Sequence, residues 1–98
     1  MNIEKICNEN SATLHVSGRL DTTTAPALES AVSEVIGNCE YLVLDFADLE
    51  YVSSAGLRVI LKAQKAMVSK GGMKVQHVSE TIMEIFEITG FSDILTIV

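Results

Sequence analysis

The segment Tyr41–Phe46, YLVLDF, is nearly continuously apolar. A run this short reads as a strand rather than a helix, and its lack of polar alternation predicts a central strand covered on both faces. Helical spacing brackets it. Leu28, Val32, Val35 and Ile36 recur at helical intervals before it, and Leu57, Ile60, Leu61, Met67 and Val68 do so after it. A buried strand between two helices leaves few arrangements open, because strands separated by helices lie parallel and are joined by right-handed crossovers.

The start of the chain adds an antiparallel element. Ala12, Leu14, Val16, Gly18 and Leu20 alternate with Thr13, His15, Ser17 and Arg19, the period of a strand with one buried face. Ile3 to Cys7 is apolar without a clean phase, and Asn8-Glu9-Asn10-Ser11 between the two segments is turn chemistry. Together they predict a hairpin. The first helix follows Asp21-Thr22-Thr23-Thr24-Ala25-Pro26 and stops at Gly37. The residue before a proline avoids the helical region, so either Ala25 caps this helix or its first turn is irregular.

The second helix runs from about Ala55 to Lys70 and is ended by Gly71-Gly72. Met73 to Val78 is a further strand. Ser79 then caps a helix carrying Ile82, Met83 and Phe86, closed by Gly90. The β-branched tail, Ile94 to Val98, predicts a last strand. The order is ββαβαβαβ, an α/β fold with a mixed, mostly parallel sheet, an N-terminal hairpin and three or more helices. A chain of 98 residues fits one domain, 1–98. The parallel strands send the loops at their carboxyl ends to one edge of the sheet. Those loops hold Asp21 with Thr22 to Thr24, then Asp48 to Ser54, then Ser79, at the edge where ligands and partners dock on open α/β sheets.

Composition narrows the function. The net charge is −6, and the lysines and arginines are scattered singly, so no clustered basic surface exists for nucleic acid. The N-terminus, MNIEKICNEN, has acids and amides where a signal peptide needs an apolar run, and no window approaches the roughly 20 apolar residues that cross a bilayer. A soluble, cytoplasmic protein with no membrane partner is expected. Cys7 and Cys39 lie outside any C-x-x-C spacing and read as small core residues of a reduced protein.

The stretch Val52-Ser53-Ser54-Ala55-Gly56-Leu57 places two adjacent hydroxyls at the mouth of the second helix. One serine suffices as a cap, with Gly56 allowing close packing on the sheet. A nucleophile elbow needs G-x-S-x-G, and here the first glycine is missing. A triad also needs a histidine base, and His15 and His77 both fall in predicted strands. No phosphate-cradling G-x-x-x-x-G-K-[ST] loop is present. Asp45, Asp48 and Glu50 lack a paired ligand set for a cation and read as a solvated acidic loop. No catalytic residue, cofactor or metal is therefore expected. Beside the plain helix cap, which accounts for one of the two serines, the other alternative is a phosphoacceptor. A phosphate at a helix N-terminus is tolerated by the free N–H groups there, yet it puts a dianion on a surface that a partner would bury.

The whole chain resembles the STAS domain family, specifically its stand-alone bacterial anti-sigma factor antagonists. Gly18-Arg19-Leu20-Asp21 with its threonine run and Ala25 is similar to the family's G-x-[LI]-D entry into the first helix. Leu42-Val43-Leu44-Asp45-Phe46-Ala47-Asp48-Leu49 is similar to its central-strand segment. Val52-Ser53-Ser54-Ala55-Gly56-Leu57 is similar to its phosphorylation loop, D-S-[SAT]-G-L. The resemblance implies Ser54 as the phosphoacceptor, with Ser53 as rival at a position often occupied by aspartate. It implies Asp21 as the acidic neighbour that shapes the site. Asp21, Thr22, Thr23, Ser53, Ser54, Ala55, Gly56 and Leu57 would form the partner-binding surface.

The implied partners are an anti-sigma factor that is also a serine kinase of the histidine-kinase-like ATPase fold, and a PP2C-type phosphatase. The unphosphorylated form would bind the anti-sigma factor, and phosphorylation would end the interaction. ATP would belong to the partner, and the chain itself would be a non-enzymatic monomer. The alternatives are a non-phosphorylated STAS interaction subunit, of the lipid-transport or stressosome type, and a small-ligand-binding STAS module.

Overall fold

The computed structural model covers residues 1–98 and turns the alternating segment into a long strand, β2 (Ser11–Leu20). It pairs antiparallel with β1 (Asn2–Cys7), Ile3 opposite Val16 and Cys7 opposite Ala12. Asn8 N–H donates to the Ser11 carbonyl at 2.8 Å and closes the turn. After α1 (Ala25–Ile36), β3 (Tyr41–Asp45) lies parallel to the first half of β2, with Leu14 opposite Leu44 and His15 opposite Asp45.

Next along the chain, β4 (Leu49–Val52) lies parallel to the second half of β2, Leu20 opposite Val52. It leads into α2 (Ser54–Val68). Then β5 (Met73–Gln76) lies parallel to β3, followed by α3 (Glu80–Thr89) and a 3-10 turn at Phe91–Asp93. The sheet order is β1-β2-β3-β5, with β4 continuing beside β2 where β3 stops. The mixed, mostly parallel α/β fold is as the periodicity predicts.

The core lies on one face of this sheet. Ala12, Leu14 and Val16 of β2, Leu42 and Leu44 of β3, and Met73 and Val75 of β5 are buried there against Leu28, Val32, Ile60, Ala63 and Met67 of the first two helices. Phe46 and Phe86 are completely buried, their ring centroids 6.5 Å apart. Close approach is built in at Gly71, where a Cβ would come within 2.5 Å of the Glu40 carbonyl oxygen and collide with the Tyr41 ring.

The other face is open, which corrects the expectation for Tyr41–Phe46. Tyr41 is 52% exposed and Val43 half-buried, so the strand is covered on one side only. Its apolar outer residues mimic a two-sided strand in the sequence. The stretch Leu49–Val52, read as loop, is a strand, so the order runs ββαββαβα. Its burial follows no period of two, since Leu49 and Val52 are buried while Glu50 and Tyr51 point out.

The tail is less regular than expected. Only Ile97 bridges to Val75, with Val75 N–H donating to Thr96 O and Val98 N–H to Val75 O, both at 2.9 Å. Thr24 occupies the N-cap position of α1, which settles the boundary one residue before Ala25, and its side chain makes no cap bond. Val68 is 69% exposed and leaves the buried stripe of α2. The strand expected over Met73 to Val78 ends at Gln76, and His77 sits just beyond it with φ +57° rather than within a strand. Cys39 is buried as expected, but Cys7, near the end of an edge strand, is exposed.

Candidate functional site

At the mouth of α2 the two serines have different jobs. Ser53 is the N-cap: its backbone is extended, its Oγ accepts from Gly56 N–H at 3.3 Å, and its carbonyl accepts from Leu57 N–H at 2.9 Å. Ser54 is the first helical residue, exposed, with a hydroxyl that no protein group engages. The cap therefore consumes one hydroxyl and leaves the other presented to solvent.

The same turn is tied to the end of β2. Ser53 N–H donates to the Leu20 carbonyl at 2.8 Å. Gly56 lies directly over Leu20, where a Cβ would meet Leu20 Cγ at 2.6 Å and its carbonyl oxygen at 3.1 Å. Leu20 immediately precedes Asp21, so the packing at Gly56 ties the start of α2 to the strand end that leads into the Asp21–Thr24 loop. Thr22, Ala25, Pro26, Ala55 and Arg58 line one shallow cleft between that loop and α2.

Asp21 holds its own loop. Its Oδ1 accepts from Thr23 N–H at 3.0 Å and Thr24 N–H at 3.1 Å, while Oδ2 lies 4.0 Å from Arg19 Nε. The Thr24 hydroxyl donates to the Arg19 carbonyl and accepts from Asp21 N–H, both at 2.8 Å. The Thr24 backbone N–H, with the Thr24 hydroxyl, the Thr23 N–H and Arg19 behind it, holds the Asp21 carboxyl below its ordinary value against a smaller upward push from burial. The site residues named from the sequence thus come together, but in two layers. Thr22, Thr23 and Ser54 are exposed. Gly56 and Leu57 are buried and position the turn from beneath, offering no surface of their own.

Sequence reasoning missed one polar cluster on the open face. His15 of β2 places Nε2 at 2.9 Å from Asp48 Oδ2 and Nδ1 at 3.5 Å from Asp45 Oδ2. Asp45 Oδ1 also lies 3.0 Å from His77 Nδ1. The groups form a chain, Asp48–His15–Asp45–His77, with His15 using opposite ring nitrogens on two carboxylates. They do not surround a common centre, and no metal-binding set is formed.

Asp48 raises the His15 pKa, with Asp45 in support and burial opposing. Burial pushes Asp45 up, but Ala47 N–H, His77 and His15 together bring its carboxyl below the ordinary value. The strand register, His15 opposite Asp45, is the signal that brings these residues together.

This chain sets a pH dependence. A His15 pKa raised on folding stabilises the fold below the unfolded value of about 6.5, and the gain disappears as pH rises through the folded value. A lowered Asp45 pKa stabilises above about 3.9 and fails as pH falls through its folded value. The cluster therefore contributes most between roughly pH 4 and 6.5. Denaturant midpoints for His15→Gln should fall below wild type in that window and converge with it at pH 9. Equal losses at both ends would remove the electrostatic account.

A family model described as STAS domain matches residues 2–98. The chain belongs to the STAS domain family. An anti-sigma-B factor antagonist from Bacillus subtilis (strain 168) is 30% identical over 98 residues, covering 99% of this chain and 90% of that protein. The crystal structure of an anti-sigma factor antagonist from Mycobacterium paratuberculosis superposes with a TM-score of 0.89 at 24% identity, covering 98% of this chain and 83% of that one. The Bacillus cell fate determinant SpoIIAA, solved in its phosphorylated form, gives 0.76 at 16% identity, covering 99% and 91%. As a STAS member the chain carries its two adjacent serines at the start of α2, with Ser53 in the capping role. No helix is long and apolar enough to cross a membrane.

Proposed function

We propose that this chain is an anti-sigma factor antagonist, one STAS unit acting as a regulatory binding module and switched at Ser54. The bare form binds an anti-sigma factor that doubles as a serine kinase of the histidine-kinase-like ATPase fold. Phosphorylation of Ser54 ends that association, and a PP2C-type phosphatase restores it. The module works as a cytoplasmic monomer and catalyses nothing itself.

The observation that carries this reading is the division of labour between the serines. Ser53 is spent on the cap, whereas Ser54 is exposed, unbonded and seated where backbone N–H groups favour an anion. A phosphate there adds about −1.5 to −2 charges without breaking any bond of the fold. The Asp21 carboxylate is engaged with its own loop, so its part is to shape the neighbouring surface rather than to activate the hydroxyl.

Incubation with a cognate kinase and ATP, followed by mass spectrometry, should show one added phosphate. Ser54→Ala should abolish it and Ser53→Ala should not. A phosphate that persists in Ser54→Ala would move the switch to another residue.

A further inference from the structure

We propose that Arg58 is the intramolecular partner of a phosphate on Ser54, closing over it as a charged clamp. The inference rests on the reading of Ser54 as the phosphoacceptor. Arg58 lies four residues beyond Ser54 in α2, so the two share one helix face on adjacent turns, and both are exposed. Its basic neighbours are committed elsewhere. Lys62, one turn further on, is paired with Glu29 at 2.6 Å. Arg19 lies over the Tyr51 ring at 4.4 Å and beside Asp21 at 4.0 Å. Arg58 alone of these three has no carboxylate within ion-pair distance.

The helix start also lacks a charge to answer it: the first turn of α2, where an acid is favoured, holds none, and the next turn presents an unpaired guanidinium. A dianion arriving at Ser54 supplies the missing counter-charge. The planar fork of arginine can take two phosphate oxygens at once, which the point charge of lysine cannot match. The phosphorylated site is then an ordered ion pair, and phosphorylation removes both a neutral hydroxyl and a free cation from the surface offered to a partner.

The test uses the full chain with phosphoserine incorporated directly at position 54, so it requires no kinase. A phosphorus-31 titration reads the second ionisation of the phosphate. In wild type its midpoint should lie about 0.2–0.4 of a pH unit below that of Arg58→Gln. Arg58→Lys should recover part of the difference, and Lys62→Gln should match wild type. Should Arg58→Gln fail to fold, the Arg58 Nε–H resonance of the wild-type phosphoprotein serves instead: it should shift with the same midpoint as the phosphate.

Equal midpoints in wild type and Arg58→Gln, or an Arg58 resonance indifferent to phosphate ionisation, would overturn the clamp. Neither result touches the partner switch, which fails separately if phosphorylated and bare chains bind the same ATPase equally well.

Discussion

Ser54→Asp should weaken binding to the kinase partner by about two to three orders of magnitude and leave the melting temperature at that of wild type or a few degrees above it. The two halves of this result have separate causes. Binding suffers because the interface that covers the bare hydroxyl must now desolvate an anion, and a loss of about 3–4 kcal/mol corresponds to that range of affinity. Stability is spared because the Ser54 hydroxyl makes no bond in the fold and the residue is exposed at a helix N-terminus. An acidic residue is favoured there by roughly 0.3–1 kcal/mol.

Ser53→Ala should behave in the opposite way. It removes the bond from Gly56 N–H and should cost about 1 kcal/mol, lowering the melting temperature by roughly 4–8 °C while binding persists. Titration calorimetry and thermal melts on the two variants read both quantities. If Ser54→Asp bound with wild-type affinity, or melted as far below wild type as Ser53→Ala, the switch would have no basis at this hydroxyl.

The pairing of one structural and one free serine was legible in the sequence only up to a point. Two hydroxyls before Gly56 showed that a cap would leave one over, but not which one. That assignment depends on the extended backbone of Ser53, set by its N–H reaching the Leu20 carbonyl across the sheet. The caps of α3 were easier. Ser79 accepts from Ile82 N–H at 3.3 Å and Gly90 takes a left-handed conformation with φ +82°, both local consequences of residue type.

The misreadings occurred where tertiary partners override local pattern. The edge strand β4 is defined by the far half of β2 and shows no alternation of its own. The open face of β3 carries Tyr41 and Val43, and apolar residues there imitate burial. The histidine–aspartate chain joins residues up to 62 positions apart and exists only through the strand register that sets His15 beside Asp45.

The largest structural effect at the site is expected at Gly56. Alanine is a better helix former than glycine, so propensity alone predicts a gain of about 1 kcal/mol from Gly56→Ala. The packing predicts the reverse. The new methyl would sit 2.6 Å from Leu20 Cγ, a branch point buried beneath the helix, and 3.1 Å from the Leu20 carbonyl, which is backbone. Neither atom can move aside cheaply, so the first turn of α2 must lift. Overpacking of this kind costs typically 1–3 kcal/mol, enough to cancel the propensity gain and leave a net loss.

The lift would also slacken the bond from Ser53 N–H to the Leu20 carbonyl and shift Ser54 relative to the Asp21 loop. Binding should therefore fall together with stability, unlike the separation expected for Ser54→Asp. Leu20→Val removes part of the obstruction. Alone it leaves a void under α2 and destabilises the fold, but with Gly56→Ala the methyl can settle into that space. The double variant should be more stable than the sum of the two single losses predicts, as a double-mutant cycle on denaturant midpoints would register. Strict additivity would mean that Gly56 does not hold Ser54 in place through Leu20.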